Sequence, residues 1–484
     1  MEAFIIKALQ LVLALTLLVV IHEFGHYIFA RMFGIRVEKF YMFFNPWFSI
    51  LKYNPATGRL EIGTWSTKDK TDKEKEVEHS LLSIRVGRDR EASGGKIVAW
   101  RKTIYGIGWL PLGGYVKIAG MIDESMDKEQ MAAEPKPWEF RTKPAWQRLL
   151  VMLAGVIFNF VLAIVIYAGI AFYWGEKVVP LQEATEGMNY SQPLQDVGLR
   201  NGDILLSLNG EEIDVAKGSV EWDLVQDGAT IEVLRDHTDR LSFTLPDGTT
   251  SKIIKDNTLP VEYRFPVLVS DVVAEPAKSA GLMVGDRIVK IGTDTTPAFT
   301  EMATALEKYA GKPTTITVMR ADSLVALKAT PTAAGKLGFL YRHPADIYPT
   351  VIKEYGLFAS VPRGVELGVN QLGMYVSSLK HVFTKSGAEQ VGGFGAIGNM
   401  FPDKWNWLSF WNITAFLSVI LAFMNVLPIP ALDGGHVLFT LYEIVTRRKP
   451  SDKFLEYAQM AGMAFLLLLL VYANGNDLYR WIFK

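Results

Sequence analysis

Residues 3–30 read AFIIKALQLVLALTLLVVIHEFGHYIFA. A helix needs about 20 apolar residues to cross a bilayer, and this run exceeds that with one early charge, Lys7. It continues without a small-residue cleavage site, so it reads as a retained span rather than a signal peptide. Inside it stand His22, Glu23 and His26 in H-E-x-x-H spacing. Residues i and i+4 share a helix face, so both imidazoles can reach one metal ion, with Glu23 placed to handle a proton of water there. Ionisable groups at membrane depth are costly, and their default reading is functional. The plainer alternative is a set of interfacial polar residues satisfied by neighbouring helices.

Three further runs are long and apolar enough to span, at about residues 146–174, 407–427 and 457–472. Arg31, Arg36 and Lys39 follow the first; Arg141, Lys143 and Arg148 flank the second; Arg447, Arg448, Lys449 and Lys453 separate the last two. If the spans alternate, all three clusters fall on one side, which the positive-inside rule makes the cytoplasm. Residues 175–405 then face outward, with Trp174, Trp405, Trp407 and Trp411 suited to the interface. Over the whole chain 50 Lys and Arg balance 51 Asp and Glu, which argues against nucleic acid as a partner. There is no Cys, so any metal must take His and carboxylate ligands. The compartment stays open on that count.

The loop between the first two spans has two characters. Residues 64–96 are dominated by charged and small polar residues and are expected to form a mobile insertion. GIRVEKF at 34–40 and GWLPLGGYVKIAG at 108–120 read instead as short strands punctuated by Gly. A strand edge beside a membrane can take up another extended peptide.

The outward segment repeats itself. GLRNGDILLSL at 198–208 matches GLMVGDRIVKI at 281–291, and IEVLR at 231–235 matches ITVMR at 316–320. The Gly-Leu-x-x-Gly-Asp pattern opening a strand resembles the PDZ family, here as two small β-rich domains in tandem. A single copy would mark no more than a tight turn before a strand. Beyond them, 364–386 is expected to be a helix lying on the outer face, and GGFGAIGNMF at 392–401 a Gly-rich loop without the Lys and Ser/Thr of a phosphate-binding loop.

A hydrolytic zinc site takes three protein ligands and leaves a position open. The other His lie mostly in polar stretches far from the first span. A better third ligand stands in NVLPIPALDGGH at 425–436. Pro428 and Pro430 break the helix there, and Gly434 and Gly435 permit close backbone approach. An ionised Asp433 at membrane depth needs a cation, which a metal on two His supplies. Read locally, Asp433 is equally well a helix N-cap.

HEFGH, GWLPLGGYVKIAG, the tandem repeat and NVLPIPALDGGH follow one another along nearly the whole chain. Together they resemble the site-2 protease family, and within it the bacterial branch that cuts anti-sigma factors in regulated intramembrane proteolysis. The resemblance implies zinc on His22, His26 and Asp433, with Glu23 as general base. It gives Asn425 the substrate backbone or the developing oxyanion. It gives the strand around Gly113, Gly114 and Tyr115 an unwound substrate, bound by β-augmentation. Packing alone accounts for Asn425 or that strand as well. Asn159 also matches a family position, but Val156 stands where relatives often carry Pro and Ile420 where some carry a second Asn. His436 is taken as structural.

The expected architecture is a polytopic α-helical membrane protein of about four transmembrane helices, with a membrane-associated β-rich loop and two PDZ-like domains. Its regions are a first span (1–31), a cytoplasmic loop (32–143), a second span (144–175), PDZ-like domains (178–262 and 263–335), and a helical and loop region (336–404). A third span with the Asp motif (405–448) and a fourth span (453–475) complete it. The implied partners are a single-span membrane substrate, of the anti-sigma-factor or remnant-signal-peptide type, the lipid bilayer, and an upstream site-1 protease that trims the substrate first. The implied location is the bacterial inner membrane with the PDZ-like pair periplasmic, where it filters substrates by size. One rival is a membrane-tethered PDZ adaptor with a vestigial metal site, which leaves the intact motif and Asp433 unexplained. Another is a metal transporter, which ordinarily carries paired broken helices in related halves; this sequence shows no such symmetry.

Overall fold

The computed structural model describes all residues except Met1, 69–75, 88–102, Leu112, 122–133, 216–225, 257–258, 383–390 and Lys484. It forms two compact units, one of residues 1–174 and 355–484, the other of residues 175–354.

The first unit opens with helix α1 (Glu2–Met32). Strands β1 (Val37–Met42), β2 (Phe44–Asn54), β3 (Arg59–Lys68), β4 (Glu76–Arg85), β5 (Ile104–Leu110) and β6 (Tyr115–Ile118) follow. Then come α2 (Ala145–Trp174), α3 (Leu357–Val382), α4 (Phe394–Met400), α5 (Trp407–Val426), α6 (Asp433–Thr446) and α7 (Asp452–Phe483). Helices α1, α2, α5 and α7 are each long and apolar enough to cross a membrane.

Strands β1–β6 make one sheet in the order β4-β3-β2-β5-β1-β6. Only β1 and β5 run parallel. The register aligns Met42, Ile107, Leu51, Ile62 and Leu82 across five strands. Directly paired residues share a face, so this row makes one side of the sheet apolar. The other side carries Lys52, paired with Glu61 and Glu78. The expected mobile insertion at 64–96 is corrected wherever it is described. Residues 64–68 end β3 and 76–85 form β4, because LEI and LLSI alternate in phase beneath the charges. The rest of that segment lies outside the described residues. At the α1 end the sheet is held by Tyr27, which packs on Phe40 and Tyr105 and meets the Tyr105 hydroxyl at 2.8 Å.

Residues 405–448, grouped in the sequence as one region around the third span, hold two helices, with the break at the prolines where the sequence placed it. Helix α5 stops at Val426, since Pro428 and Pro430 have no N–H to continue it. The chain turns through Ala431 at φ +80° and restarts as α6 at Asp433. Helix α7 runs past the expected limit of 475, because Asn474 and Asp477 in its last turns bond α4. The Asp477 carboxylate accepts the N–H groups of Gly393 and Ala396 at 2.9 and 3.0 Å, and Asn474 accepts that of Phe394 at 3.2 Å. The Gly-rich stretch at 392–401 is therefore largely a short helix, and the protein's own carboxylate sits where an anion would. The helix expected over 364–386 begins earlier, at Leu357. It packs on the second span, with Leu367 and Leu372 against a cluster that includes Ile166, Tyr167 and Ile170.

In the second unit, both copies of the Gly-Asp motif end in a strand, Ile204–Leu208 and Arg287–Ile291. Each pairs antiparallel with the downstream matching strand, Thr230–Arg235 and Thr314–Arg320. The motif aspartates do the same work in both copies. Asp203 accepts the Arg200 N–H and pairs with Arg235; Asp286 accepts the Met283 N–H and pairs with Arg320. Each Arg also caps the carbonyl of the motif's first Gly, Gly198 or Gly281. The two copies bury separate cores, one around Leu205 and Ile231 and one around Ile288 and Ile316.

Candidate metal centre

Helix α1 brings His22 and His26 to one face, one turn apart, and both are buried. The break between α5 and α6 brings Asp433 to meet them. Its Oδ2 lies 3.1 Å from His22 Nε2 and 3.2 Å from His26 Nε2, and the two Nε2 atoms are 3.2 Å apart. Asp433 is the first residue of α6, and Leu432 holds the cap position. The N-cap reading of Asp433 is thus set aside.

Three atoms with lone pairs form a nearly equilateral triangle, and Asp433 Oδ2 is buried without a hydrogen-bond donor. Such an oxygen is costly to bury unless a cation meets it. Ligand atoms about 2.0–2.1 Å from a tetrahedral zinc stand about 3.3 Å apart, close to this triangle. The donor set is borderline-soft nitrogen with one carboxylate, which suits zinc. His26 Nδ1 lies 2.8 Å from the Val151 carbonyl of α2. That carbonyl can only accept, so the ring proton sits on Nδ1 and the Nε2 lone pair faces the triangle.

The close approach of α1 and α2 depends on glycine. A Cβ on Gly155 would lie 2.5 Å from His26 Nε2 and 2.6 Å from His22 Cε1. On the other side, α7 holds the broken segment in place. Gly462 lies so close to Pro430 that a Cβ would meet its carbonyl oxygen at 1.8 Å, and Gln459 accepts the Ala431 N–H at 3.2 Å.

The centre opens into a cavity of about 470 Å³. Glu23 lines it beside the two His, and Asn425, His436 and Gln459 form part of the wall. The far wall is β6, from Gly114 through Ile118. Strand β6 pairs with β1 and ends the sheet, so its second edge has no strand partner among the described residues. Gly114 and Tyr115 thus face the same space as the motif. Gly113 does not; it lines a small separate void with Leu15 and Val19 of α1. Sequence reasoning missed Gly155 and Gln459. A Gln in an apolar span was a readable signal; Gly155, one small residue among many in α2, was not.

A model of peptidase family M50 matches residues 10–58 and 76–469. The chain is 27% identical to a "Putative zinc metalloprotease" of Vibrio cholerae, over 97% of each chain. It is also 27% identical to a "Regulator of sigma E protease" of Haemophilus influenzae, over 97% of this chain and 98% of that one. A further "Putative zinc metalloprotease", from Thermotoga maritima, is 23% identical over 97% and 98%.

Proposed function

The chain belongs to peptidase family M50, and from this premise we propose that it cuts peptide bonds inside the transmembrane segments of single-span proteins. It is a zinc metalloprotease. The finer reading rests above all on one observation: the carboxylate of Asp433 lies within about 3 Å of two imidazoles in a membrane-spanning helix. At 1.5 Å per residue, His26 and His22 lie about 9 and 15 Å along α1 from its end at Met32, in a helix long enough to cross a hydrocarbon core about 30 Å thick.

His22, His26 and Asp433 would hold the zinc. Bound there, zinc supplies Lewis acidity and lowers the pKa of water to around 7. The Glu23 carboxylate takes the proton from the attacking water and returns it to the leaving amine. The Asn425 amide donates to the oxygen of the scissile carbonyl as charge develops. A helical substrate hides its amides in its own hydrogen bonds, so it must unwind before attack. The outer edge of β6, which has no strand partner among the described residues, lines the same cavity as Glu23 and would offer backbone partners to the unwound stretch near Gly114 and Tyr115. Gly113 supports the turn into that strand rather than touching substrate.

The repeats of residues 175–354 are read as a PDZ-like pair on the periplasmic side of a bacterial inner membrane. The Arg and Lys clusters beside the spans favour a cytoplasmic position for the loop of residues 32–143. The pair admits substrates already trimmed by an upstream protease. The substrate class includes anti-sigma factors and remnant signal peptides.

Reconstitution with a single-span model substrate tests this reading. Cleavage should fall inside the hydrophobic segment, mapped by mass spectrometry, and stop with a zinc chelator. Cleavage confined to the flanking soluble sequence, or unaffected by chelator, would overturn it.

A further inference from the structure

Helix α2 presents three residues in succession to the two imidazoles. Val151 offers its carbonyl to His26 Nδ1 at 2.8 Å. Gly155, one turn on, leaves space where any Cβ would strike both rings. Asn159, one turn further, sets its side-chain amide 3.2 Å from His22 Nδ1. Positions i, i+4 and i+8 lie along one helix face, so the spacing follows from the helix itself. Asn159 is fully buried, and its Oδ1 has no partner. Behind it, the buried Ser418 hydroxyl of α5 donates to the Asn159 backbone carbonyl at 2.7 Å, away from the side-chain amide.

We infer that Asn159 is a positioning residue that fixes the tautomer and the ring orientation of His22 for metal binding. This rests on the proposed ligand set. A neutral imidazole carries one N–H, so His22 can offer its Nε2 lone pair only if Nδ1 bears the proton. The partner of Nδ1 must then accept. The Asn159 side chain can do so through its oxygen, which a half-turn of the amide brings to the place its nitrogen holds beside His22. With the nitrogen in that place, the amide donates to Nδ1. The ring proton then moves to Nε2, toward Asp433. The orientation of one buried amide thus selects between a metal-binding and a non-binding His22. His26 needs no such device, because a carbonyl can only accept.

The test is the zinc dissociation constant of the full chain in detergent, read by competition with a chromophoric chelator. Asn159→Leu removes the acceptor and should weaken zinc binding by about 10–100-fold. Asn159→Asp keeps an acceptor and should bind within about threefold of the parent or tighter. Ser418→Ala disturbs packing at the same level without touching the amide, and should leave the constant unchanged. Asn159→Ala serves if the Leu variant does not fold. Unaltered zinc affinity without the acceptor, an equal loss in Ser418→Ala, or no rescue by Asp would each overturn the inference. His22→Ala, read in the same zinc assay, separates this failure from a failure of the ligand set. If His22→Ala itself keeps full zinc affinity, the ligand set is wrong and this inference goes with it.

Discussion

At the scale of single residues, the proposed roles separate holding a metal from using it. His22, His26 and Asp433 converge through three atoms, while Glu23 lines the cavity beside them. Glu23→Gln should therefore keep one zinc per chain and lose turnover by roughly 10²–10⁴-fold, the usual weight of a general base. Metal content and single-turnover cleavage check this together. Gly155 makes a different prediction. A Val there places branched carbon where both imidazoles lie, so Gly155→Val should reduce zinc content sharply while the helices still form. Equal zinc in Gly155→Val and the parent would mean that α1 and α2 do not meet as described.

At the scale of elements, two polar clasps act on α7, a helix otherwise surrounded by little protein. One joins Gln459 and Gly462 to the broken segment before Asp433; the other joins Asn474 and Asp477 to the start of α4. Asp477→Ala leaves the N–H groups of Gly393 and Ala396 without their acceptor and should cost about 1 kcal/mol, as loss of a helix cap does. Thermal unfolding in detergent, compared with the parent, reads it. These clasps also mark what the sequence made legible. The four apolar runs foretold α1, α2 and α5 closely and the middle of α7, because hydrophobic length is a strong one-dimensional signal. The H-E-x-x-H spacing and the prolines before Asp433 likewise carried their geometry within a few residues. Asp477 capping a helix some eighty residues away has no local signature, and neither has the fit of Gly155 against two imidazoles. Strand β4 was hidden for another reason. Its alternation lies beneath a run of charge, so composition outweighed the period of two.

At the scale of the whole molecule, the candidate metal centre falls in the first unit and the repeated β-structure in the second. The second unit carries its own acid sensitivity. Burial pushes the Asp286 carboxyl up, but the Arg320 guanidinium and the Met283 N–H outweigh it and hold it below the ordinary carboxylate value. A carboxyl depressed in the folded state stabilises fully above its unfolded pKa, about 3.9, and loses that contribution as pH falls through the folded value. The protection of amides in residues 281–329 of the full chain, taken relative to their intrinsic exchange rate at each pH, should therefore fall as pH drops below about 4, and Asp286→Asn should flatten the dependence.

The central claim is that side chains from opposite ends of the polypeptide share a single zinc. Zinc-edge X-ray absorption of the Glu23→Gln protein, beside a Glu23→Gln/Asp433→Ala double variant, addresses it directly. The account predicts two imidazole nitrogens plus carboxylate oxygen in the first, and loss of stoichiometric zinc in the second. An unchanged spectrum at full occupancy after Asp433 is removed would contradict it.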